Sequence, residues 1–413
     1  MVNAKICRLA LALALTTIAW TTALCQGQSR FSELPGSAQA RISEIVAHEN
    51  GLSEKWVKIS LSGSDTQSNN LFGFSVATSS DTVVVASRYF GCLEGGAYVF
   101  VKPPSGWQDM VQTAKLTGSD FGPCGGSGFD HVAIDGDTIL AGPGPSGATT
   151  YVFAKPEEGW NDATETAQLT AAPSLHGMAS LAISGDDVVV GYPLAGSGIA
   201  AVFVKPPSGW QNTTQPALLS ASDGGGSLGW SVAIDGKEII AGAPAADAAA
   251  GAVYVFDQPP TGWTDMTQTT KLDSPDSTQG IGWGLSLSGN VVVAPGSSVV
   301  FAFVLPGTSL PKPPTATLNL PPDSGLSSAW IHDKVIAVGG GPGYPTYYGA
   351  MFGWTEPAGG WSRASSPDFE FWGKPSGGPQ MIGYSVATDG TILVAGAPGH
   401  KHDTGIVYLF APR

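Results

Sequence analysis

Short apolar runs separated by turn residues recur along the chain from residue 57 to its C-terminus. The most regular run is a Tyr/Val/Phe segment, as in AYVF, TYVF and VYLF, and its phenylalanines lie 47 to 58 residues apart. These phenylalanines are Phe100, Phe153, Phe203, Phe256, Phe303, Phe352 and Phe410. Runs this short, bounded by Gly, Asp or Ser, indicate β-strands, and their sevenfold repetition indicates a repeat protein.

Each repeat contains four such runs. The first reads like SVAI, the second is a continuous apolar run such as TVVVA, the third is the Tyr/Val/Phe segment and the fourth reads like AKLT. A continuous apolar run suits a strand covered on both faces, as in stacked sheets. Four antiparallel strands repeated seven times predict an all-β fold, a seven-bladed β-propeller of four-stranded blades, in which ring closure removes the open sheet edges.

The two ends of the repeat array predict how the ring closes. The last repeat ends shortly after its Tyr/Val/Phe segment and has no fourth run. One unmatched run, residues 57–61, lies before the first repeat. We therefore expect this N-terminal strand to complete the last blade.

The predicted propeller comprises residues 57–413. The segment that precedes it divides into two parts. A basic start, an apolar run too short to span a bilayer comfortably and a stretch of small residues predict a secretory signal peptide over residues 1–25, cleaved after Ala23 or Cys25. Lipidation of Cys25 is the alternative. Residues 26–55 form an N-terminal extension with the pattern of a short helix. The mature chain has no other apolar stretch of membrane-spanning length.

The composition narrows the class of partner. Charged residues make up 13% of the chain, which also contains 56 Gly and 31 Pro, so many turns around a large apolar interior are expected. The formal net charge is −14 at pH 7. That charge argues against nucleic acids and acidic membrane surfaces as partners. With the signal peptide, it favours a secreted or extracytoplasmic protein of the periplasm or cell surface.

Several short motifs resemble those of a known family. A Phe-Gly or Leu-Gly dipeptide opens some repeats, and a Gly-Ala-Pro tripeptide followed by Gly-x-x-Tyr-x-Phe closes their second run. The clearest copies are Phe72-Gly73, Leu228-Gly229, and the tripeptides at 242–244 and 396–398. They resemble FG-GAP repeats, the units of the integrin α-subunit propeller and of many bacterial secreted proteins. The resemblance covers roughly residues 57–413 and implies the propeller fold.

Many members of that family bind calcium in a loop between the first and second strands, where several carboxylates surround the ion. Here the connection reads IDGD, ISGDD, IDGK or LSGN, and no repeat offers three spaced acids. An Asp-Gly connection instead predicts a two-residue hairpin whose central residues both have positive φ. We therefore expect no metal site and no cofactor.

Strand alternation sorts the loops onto two faces. The tight hairpins and the PPSGW-like elbows between strands three and four share one face. The loops between strands two and three, and those that enter each next blade, share the other, which we call the variable face; loops on a rigid scaffold carry specificity. The elbow tryptophans are expected to pack between blades, the alternative being to stack a quinone cofactor. They are Trp107, Trp160, Trp210, Trp263 and Trp361.

Two cysteines and several aromatic residues fall on the predicted variable face. Cys92 and Cys124 lie in loops of adjacent blades, where a secreted chain is expected to form a disulfide; two free thiols are the alternative. The aromatic candidates for ligand binding are Tyr89, Phe90, Tyr344, Tyr347 and Tyr348.

Two polar motifs remain ambiguous. His400, His402 and Asp403 form an HKHD sequence that either binds a metal or is an exposed loop, and no third strong ligand is evident. Asp130 and His131 replace small residues at the start of a first strand. They form either an acid/base pair at the central channel or a hydrogen-bonded structural substitution.

No nucleophile elbow, paired acids or phosphate-binding loop lies in register with the repeats. Because the loop variety is confined to one face, we expect a secreted noncatalytic binding or adhesion module that presents this face to an extracellular protein or glycan. The alternative is a polysaccharide lyase or hydrolase with its site at the central channel. A structural element of an envelope or matrix assembly is a third reading.

Overall fold

The computed structural model places the predicted runs in β-strands over most of the chain. It describes residues 56–88, 95–121, 128–142, 147–171, 175, 177, 180–274, 280–305, 314–320, 325–341, 348–361, 366–373 and 380–413. Of these, residues 58–373 and 377–411, with their gaps, belong to one compact unit; of the second unit only residues 56–57 and 412–413 are described.

The strands are numbered in chain order. Strand β1 comprises Trp56–Ser62. Blade one contains β2 (Phe72–Ser79), β3 (Thr82–Ser87), β4 (Gly96–Val101) and β6 (Ala114–Thr117). Blade two contains β7 (His131–Asp135), β8 (Thr138–Gly142), β9 (Thr149–Ala154) and β11 (Ala167–Thr170). Blade three contains β12 (Ser180–Ser184), β13 (Asp187–Tyr192), β14 (Ile199–Val204) and β15 (Ala217–Ser220).

The remaining blades repeat this order. Blade four contains β16 (Val232–Asp235), β17 (Glu238–Ala243), β18 (Ala252–Asp257) and β20 (Thr270–Asp273). Blade five contains β21 (Ser286–Ser288), β22 (Val291–Pro295), β23 (Val299–Val304) and β24 (Ala316–Asn319). Blade six contains β25 (Gly325–His332), β26 (Val335–Gly341), β27 (Ala350–Thr355) and β28 (Phe369–Trp372). Blade seven contains β29 (Val386–Thr388), β30 (Leu393–Ala397) and β31 (Ile406–Pro412), followed by β1.

The predicted all-β propeller of seven blades is confirmed. In every blade strands one to four are neighbours in sequence order, and the first strand of each blade contacts that of the next, from β2 round to β29 and back. Strand β1 lies beside β31 in the sheet of blade seven, so the N-terminal strand completes the last blade as expected. Closing the ring pairs the C-terminal edge with the N-terminal strand and leaves no open blade.

Glycine pairs explain why the FG and GAP motifs recur. The glycine near the end of a second strand faces the glycine of the FG-type dipeptide of the next blade; a Cβ on Gly242 would overlap the carbonyl oxygen of Gly282. A serine at the start of the first strand also bonds to this contact, since Ser231 Oγ donates a hydrogen bond to the Gly282 carbonyl at 2.9 Å. The equivalent pairs are Gly191–Gly229, Gly242–Gly282, Gly339–Gly383 and Gly396–Gly73. At these junctions the two backbones touch without an intervening side chain.

The elbow tryptophans pack between blades, as predicted. Trp160 belongs to an apolar cluster that joins Val84 of blade one to Phe153 of blade two, and the other elbows occupy equivalent clusters. Trp160, Trp210 and Trp361 are buried, and Trp107 and Trp263 are partly buried. Burial on this scale stabilises a blade junction by about 2 kcal/mol or more for each side chain.

A feature that the sequence analysis missed lies two residues after most elbow tryptophans. There an Asp or Asn side chain accepts the backbone N–H of the outermost strand of the preceding blade. The acceptor and donor pairs are Asp109 with Ser60 (2.7 Å), Asp162 with Lys115 (2.7 Å), Asn212 with Gln168 (2.8 Å) and Asp265 with Leu218 (2.8 Å). The next residues add short parallel strands, so three sheets have a fifth strand. These are β5 (Met110–Val111) on β1, β10 (Ala163–Thr164) on β6 and β19 (Met266–Thr267) on β15.

The hairpins between first and second strands differ in detail from the prediction. In six blades the loop has two residues, but only the first of them has positive φ, as at Gly136 (φ 50°), which is the pattern of a type II′ turn. The expectation of two positive φ values was wrong because Asp135, counted as a turn residue, is the last residue of β7. Its side chain instead accepts the N–H of Gly185 in the next blade at 2.6 Å.

Substitution of Gly242 by Ala tests the glycine contact. Because the new methyl group would meet backbone rather than a movable side chain, we expect the free energy of unfolding to fall by about 3 kcal/mol. Urea unfolding measures this change. Gly359→Ala is the control, since a Cβ there meets no atom within 4 Å, and an equal effect of the two substitutions would disprove the steric account.

Candidate functional site

The first strands begin on the variable face, near the axis of the ring. In four blades the residue after the FG-type glycine is aromatic: Phe74, Trp230, Trp283 and Tyr384. In blade two the equivalent residue is Asp130. The N–H of Asp130 donates to the carbonyl of Gly142 at 2.9 Å, just as the N–H of Trp230 donates to the carbonyl of Gly242 at 3.2 Å in blade four. We call these five residues the axial rim.

Part of the rim forms a continuous chain of contacts across blades seven, one and two, which we call the arginine arc. The rings of Tyr384 and Phe74 lie 4.8 Å apart at 43°. The guanidinium of Arg88 lies 5.1 Å from the centre of the Phe74 ring, and Arg88 Nε is 3.3 Å from Asp130 Oδ1. The cation therefore contacts an aromatic face and a carboxylate at once.

The carboxyl group of this arc titrates near neutral pH. Burial raises the pKa of Asp130 to about 6, although the charge of Arg88 acts in the opposite direction. Burial and the charge of Arg88 together lower the pKa of His131 to about 4. Burial also raises the pKa of Tyr384. Asp130 can therefore hold or release a proton near pH 6, while His131 stays neutral there.

On blades four and five the rim carries a second feature, the tryptophan pair. Trp230 and Trp283 lie 4.8 Å apart with their rings nearly perpendicular, at 77°. Trp283 is 55% exposed, which is unusual for so large an apolar side chain, and Trp230 is partly exposed. In this edge-to-face arrangement one indole points towards the face of the other, and the exposure of Trp283 leaves indole surface in contact with solvent.

An acidic cluster lies on the variable face of blade four, the blade that carries Trp230. Lys271 Nζ is 2.9 Å from both Asp223 and Asp247 and 3.7 Å from Asp273, so three carboxylates surround one ammonium group. Burial would raise the pKa of Asp223, but hydrogen bonds from Lys271 and Tyr254 lower it to about 2. Asp223 precedes Trp230 in the loop that enters blade four. The cluster keeps a net negative charge on this side of the variable face.

Most of the residues predicted from the sequence for this face lie outside the described residues. These are Tyr89, Phe90, Cys92, Cys124, Tyr344 and Tyr347, so the disulfide and these aromatic contacts remain predictions. The predicted signal peptide and N-terminal extension also lie outside. Tyr348 is described: it is partly buried at the junction of blades six and seven, where its carbonyl accepts the N–H of Ile382 at 3.0 Å.

The HKHD sequence forms a single tight turn, His400–Asp403, that holds the next blade through its backbone. Lys401, His402 and Asp403 have φ between 49° and 64°, and the Asp403 carbonyl accepts the N–H of Leu71 at 2.8 Å. A similar turn in blade four, Ala246–Ala249, carries Asp247. In the described part of the chain, no group of three or more His, Cys, Asp or Glu side chains could hold a metal ion.

The sequence does contain a signal for the axial rim. The dipeptide glycine is followed by an aromatic residue in the copies FGF, LGW, IGW and IGY. This position is at least partly exposed in all four copies, so its repetition marks a surface rather than core packing. Arg88 gave no such signal, because a single arginine forms no repeat pattern and its contact with Asp130 depends on how two blades pack together.

Comparison with known proteins agrees with this geometry. The family described as FG-GAP repeat matches residues 57–100 and 213–256. Each matched segment begins in or beside the outermost strand of one blade and ends in the third strand of the next, so the sequence repeat is offset from the blade. No curated protein matches the chain significantly in sequence. No helix among the described residues has the length and apolar character needed to cross a membrane.

Three solved structures are similar to the chain. The WD40 domain of Neurospora crassa Pan2 has a TM-score of 0.52 at 11% identity, over 87% of this chain and 96% of that one. A chain of the mitotic checkpoint complex has a TM-score of 0.50 at 12% identity, over 85% and 90%. The computationally designed protein Ika8 has a TM-score of 0.48 at 15% identity, over 84% and 88%. At such identities the first two show a shared fold only.

The shifted pKa values predict a pH-dependent effect of Asp130→Asn. The pKa of Asp130 is about 6 in the folded protein and 3.8 in its ordinary state, so folding favours the protonated carboxyl group. This group therefore contributes most to the free energy of unfolding of the wild type below pH 4, and the contribution is lost as the pH rises through 6. The stability of Asp130→Asn relative to wild type should therefore rise by about 2 kcal/mol from pH 4 to pH 7. Urea unfolding at each pH measures the difference.

The control for this experiment is Asp137→Asn, which removes a charge from an exposed hairpin. The lowered pKa of His131 acts in both proteins and cancels in the comparison. A difference between Asp130→Asn and wild type that does not vary with pH would contradict the assignment.

Proposed function

We propose that this chain, which carries FG-GAP repeats on a seven-bladed propeller, is a noncatalytic interaction module that binds a partner protein at the axial rim of its variable face. The observation that carries the proposal is the exposure of the tryptophan pair. Large aromatic side chains that stay exposed to solvent are unusual on a protein that needs no partner, and Trp is among the residues most enriched in binding hot spots.

The rest of the variable face supports this proposal. The aromatic residues of the rim lie at the same backbone position in different blades, so the rigid ring holds them in a fixed arrangement. A preorganised surface loses little conformational entropy on binding. Loops of the same face carry Tyr348 and the sequence candidates Tyr89, Phe90, Tyr344 and Tyr347, which would enlarge the contact area beyond the rim.

We place this activity outside the cell, in the periplasm or at the cell surface. The predicted signal peptide, residues 1–25, supports this location, and FG-GAP repeats are typical of extracellular proteins. Binding to a glycan instead of a protein is the alternative for the same surface. Recovery of the full-length chain, with residues 1–25 still present, from the cytoplasm alone would contradict the proposed location.

A second candidate function is enzymatic. The specific observation in its favour is that Asp130, with a pKa of about 6, lies beside His131 at the channel mouth, where a general acid or base of a polysaccharide lyase or hydrolase would act. The Arg88 ion pair gives the carboxylate a structural role instead, which makes this the weaker candidate.

The interaction proposal predicts that replacing both Trp230 and Trp283 by Ala weakens partner binding about thirtyfold or more, since each removes a hot-spot side chain. Immobilised wild-type and variant proteins would be exposed to an extracellular extract, and bound proteins quantified by mass spectrometry. Trp372→Ala is the matched control, because Trp372 is 43% exposed but lies in the outermost strand of blade six. Equal capture by the double variant and the wild type would refute the site.

The enzymatic candidate predicts turnover of a polysaccharide that Asp130→Asn and His131→Ala each reduce by about a hundredfold or more. Release of reducing ends and of unsaturated uronates from a broad polysaccharide panel measures hydrolysis and elimination. Activity that survives both substitutions, or no activity on the whole panel, would count against it.

A further inference from the structure

The two aromatic pairs of the axial rim join equivalent positions of adjacent blades, but they differ in ring angle and in their neighbours. Each joins the rim positions of adjacent blades with ring centres 4.8 Å apart: Tyr384 with Phe74, and Trp230 with Trp283. In the first pair the guanidinium of Arg88 lies over the Phe74 ring. Among the described residues, no cation is found over either ring of the second pair.

One substitution in the repeat accounts for this difference. Arg88 follows Ser87, the last paired residue of the second strand of blade one, and Pro244 follows Ala243, the last paired residue of the second strand of blade four. Arg88 thus occupies the position of the proline in the GAP motif. Blade one supplies its own guanidinium to its rim aromatics, whereas blade four carries a proline that has no charge.

The charge around the tryptophan pair favours a cation from outside the chain. Residues 171–305, which include blades three and four and the first three strands of blade five, contain ten Asp and Glu residues but only three Lys and no Arg. Of those lysines, Lys271 is held by Asp223 and Asp247, and Lys205 and Lys237 lie on the hairpin and elbow face. A negative field attracts cations over several ångströms and concentrates them at the exposed indoles.

We propose that the tryptophan pair binds an arginine side chain from a basic segment of the partner protein. The guanidinium lies in the corner between the two indoles, as the guanidinium of Arg88 lies against Phe74 in blade one. Trp presents the most favourable ring for a cation, and a planar guanidinium also stacks on it. The excess of carboxylates in the same blades favours a segment with further positive charges. This inference rests on the proposed function, because it names the chemistry of the partner at the same site.

The first test uses acetyl-arginine amide as the probe, with acetyl-citrulline amide as its neutral counterpart of similar shape. NMR follows the indole N–H signals of Trp230 and Trp283, assigned with Trp→Phe variants. We expect the arginine probe to shift both signals, and to bind more weakly as salt is added, because salt screens the attraction. The citrulline probe should shift them at least about tenfold more weakly.

Two variants test whether the corner is the binding site. Pro244→Arg should place an internal guanidinium over the pair, as Arg88 does in blade one, and reduce probe affinity about tenfold. Trp283→Ala should cause a similar loss and stays informative if Pro244→Arg does not fold. Trp372→Ala should leave probe affinity unchanged, and circular dichroism checks the fold of each variant.

The outcomes separate this inference from the proposed function. Three results would each overturn the guanidinium assignment. The arginine and citrulline probes could bind equally well, or neither tryptophan signal could shift. The third is a shift produced by neutral cello- and laminari-oligosaccharides in place of the arginine probe. If that happens while the Trp230 and Trp283 double variant still loses its protein partner, the interaction function stands and only the ligand chemistry is wrong. If the double variant also keeps its partner, the site itself is wrong.

Discussion

The structure depends on one steric constraint, the contact between the backbones of adjacent blades at paired glycines. At Gly242 and Gly282, and at Gly396 and Gly73, a Cβ on the glycine of the second strand would overlap a carbonyl oxygen of the neighbouring blade. A serine hydroxyl then hydrogen bonds across the same junction, as Ser385 does to the Gly73 carbonyl at 3.0 Å. The FG and GAP motifs are therefore two halves of one contact, and each half is meaningful only when the next blade supplies the other.

Other contacts join the blades at three distances from the axis and fix their orientation. Near the axis, hairpin side chains such as Asp135 and Asp235 accept N–H groups of the next blade, both at 2.6 Å. At the outer edge, residues such as Asp109 and Asp265 accept N–H groups of the preceding blade. Between them the elbow tryptophans fill the apolar gap. These contacts belong largely to the hairpin and elbow face, whereas the paired glycines and backbone hydrogen bonds such as that from Leu71 to Asp403 join the blades on the variable face.

Local patterns predicted the blades, and contacts between blades set the limit of that prediction. Fourth strands such as Ala114–Thr117 match the expected residues because strand periodicity is a local signal. The parallel strand Met110–Val111 was missed, because two residues carry no period and the pairing with β1 crosses almost fifty residues. For the site, the arginine arc unites residues from three blades, and spacing cannot reveal which loops a closed ring brings together. The aromatic rim was visible in the sequence but was treated as part of the repeat.

The rim shows how a repeat propeller can change specificity at low cost to stability. The proline of GAP follows the last paired residue of the second strand, so its side chain lies outside the ladder and outside the glycine contact. Arg88 stands at this position in blade one without disturbing the paired strands, and it neutralises Asp130 while covering Phe74. In blade one the residue at this position, Arg88, covers the rim aromatic of its own blade. In blade four the residue is Pro244, which leaves the aromatic surface uncovered. Because both junctions hold the rim aromatics about 5 Å apart, the choice of one residue decides whether an internal guanidinium covers the aromatic surface, and we propose that the uncovered junction takes a ligand.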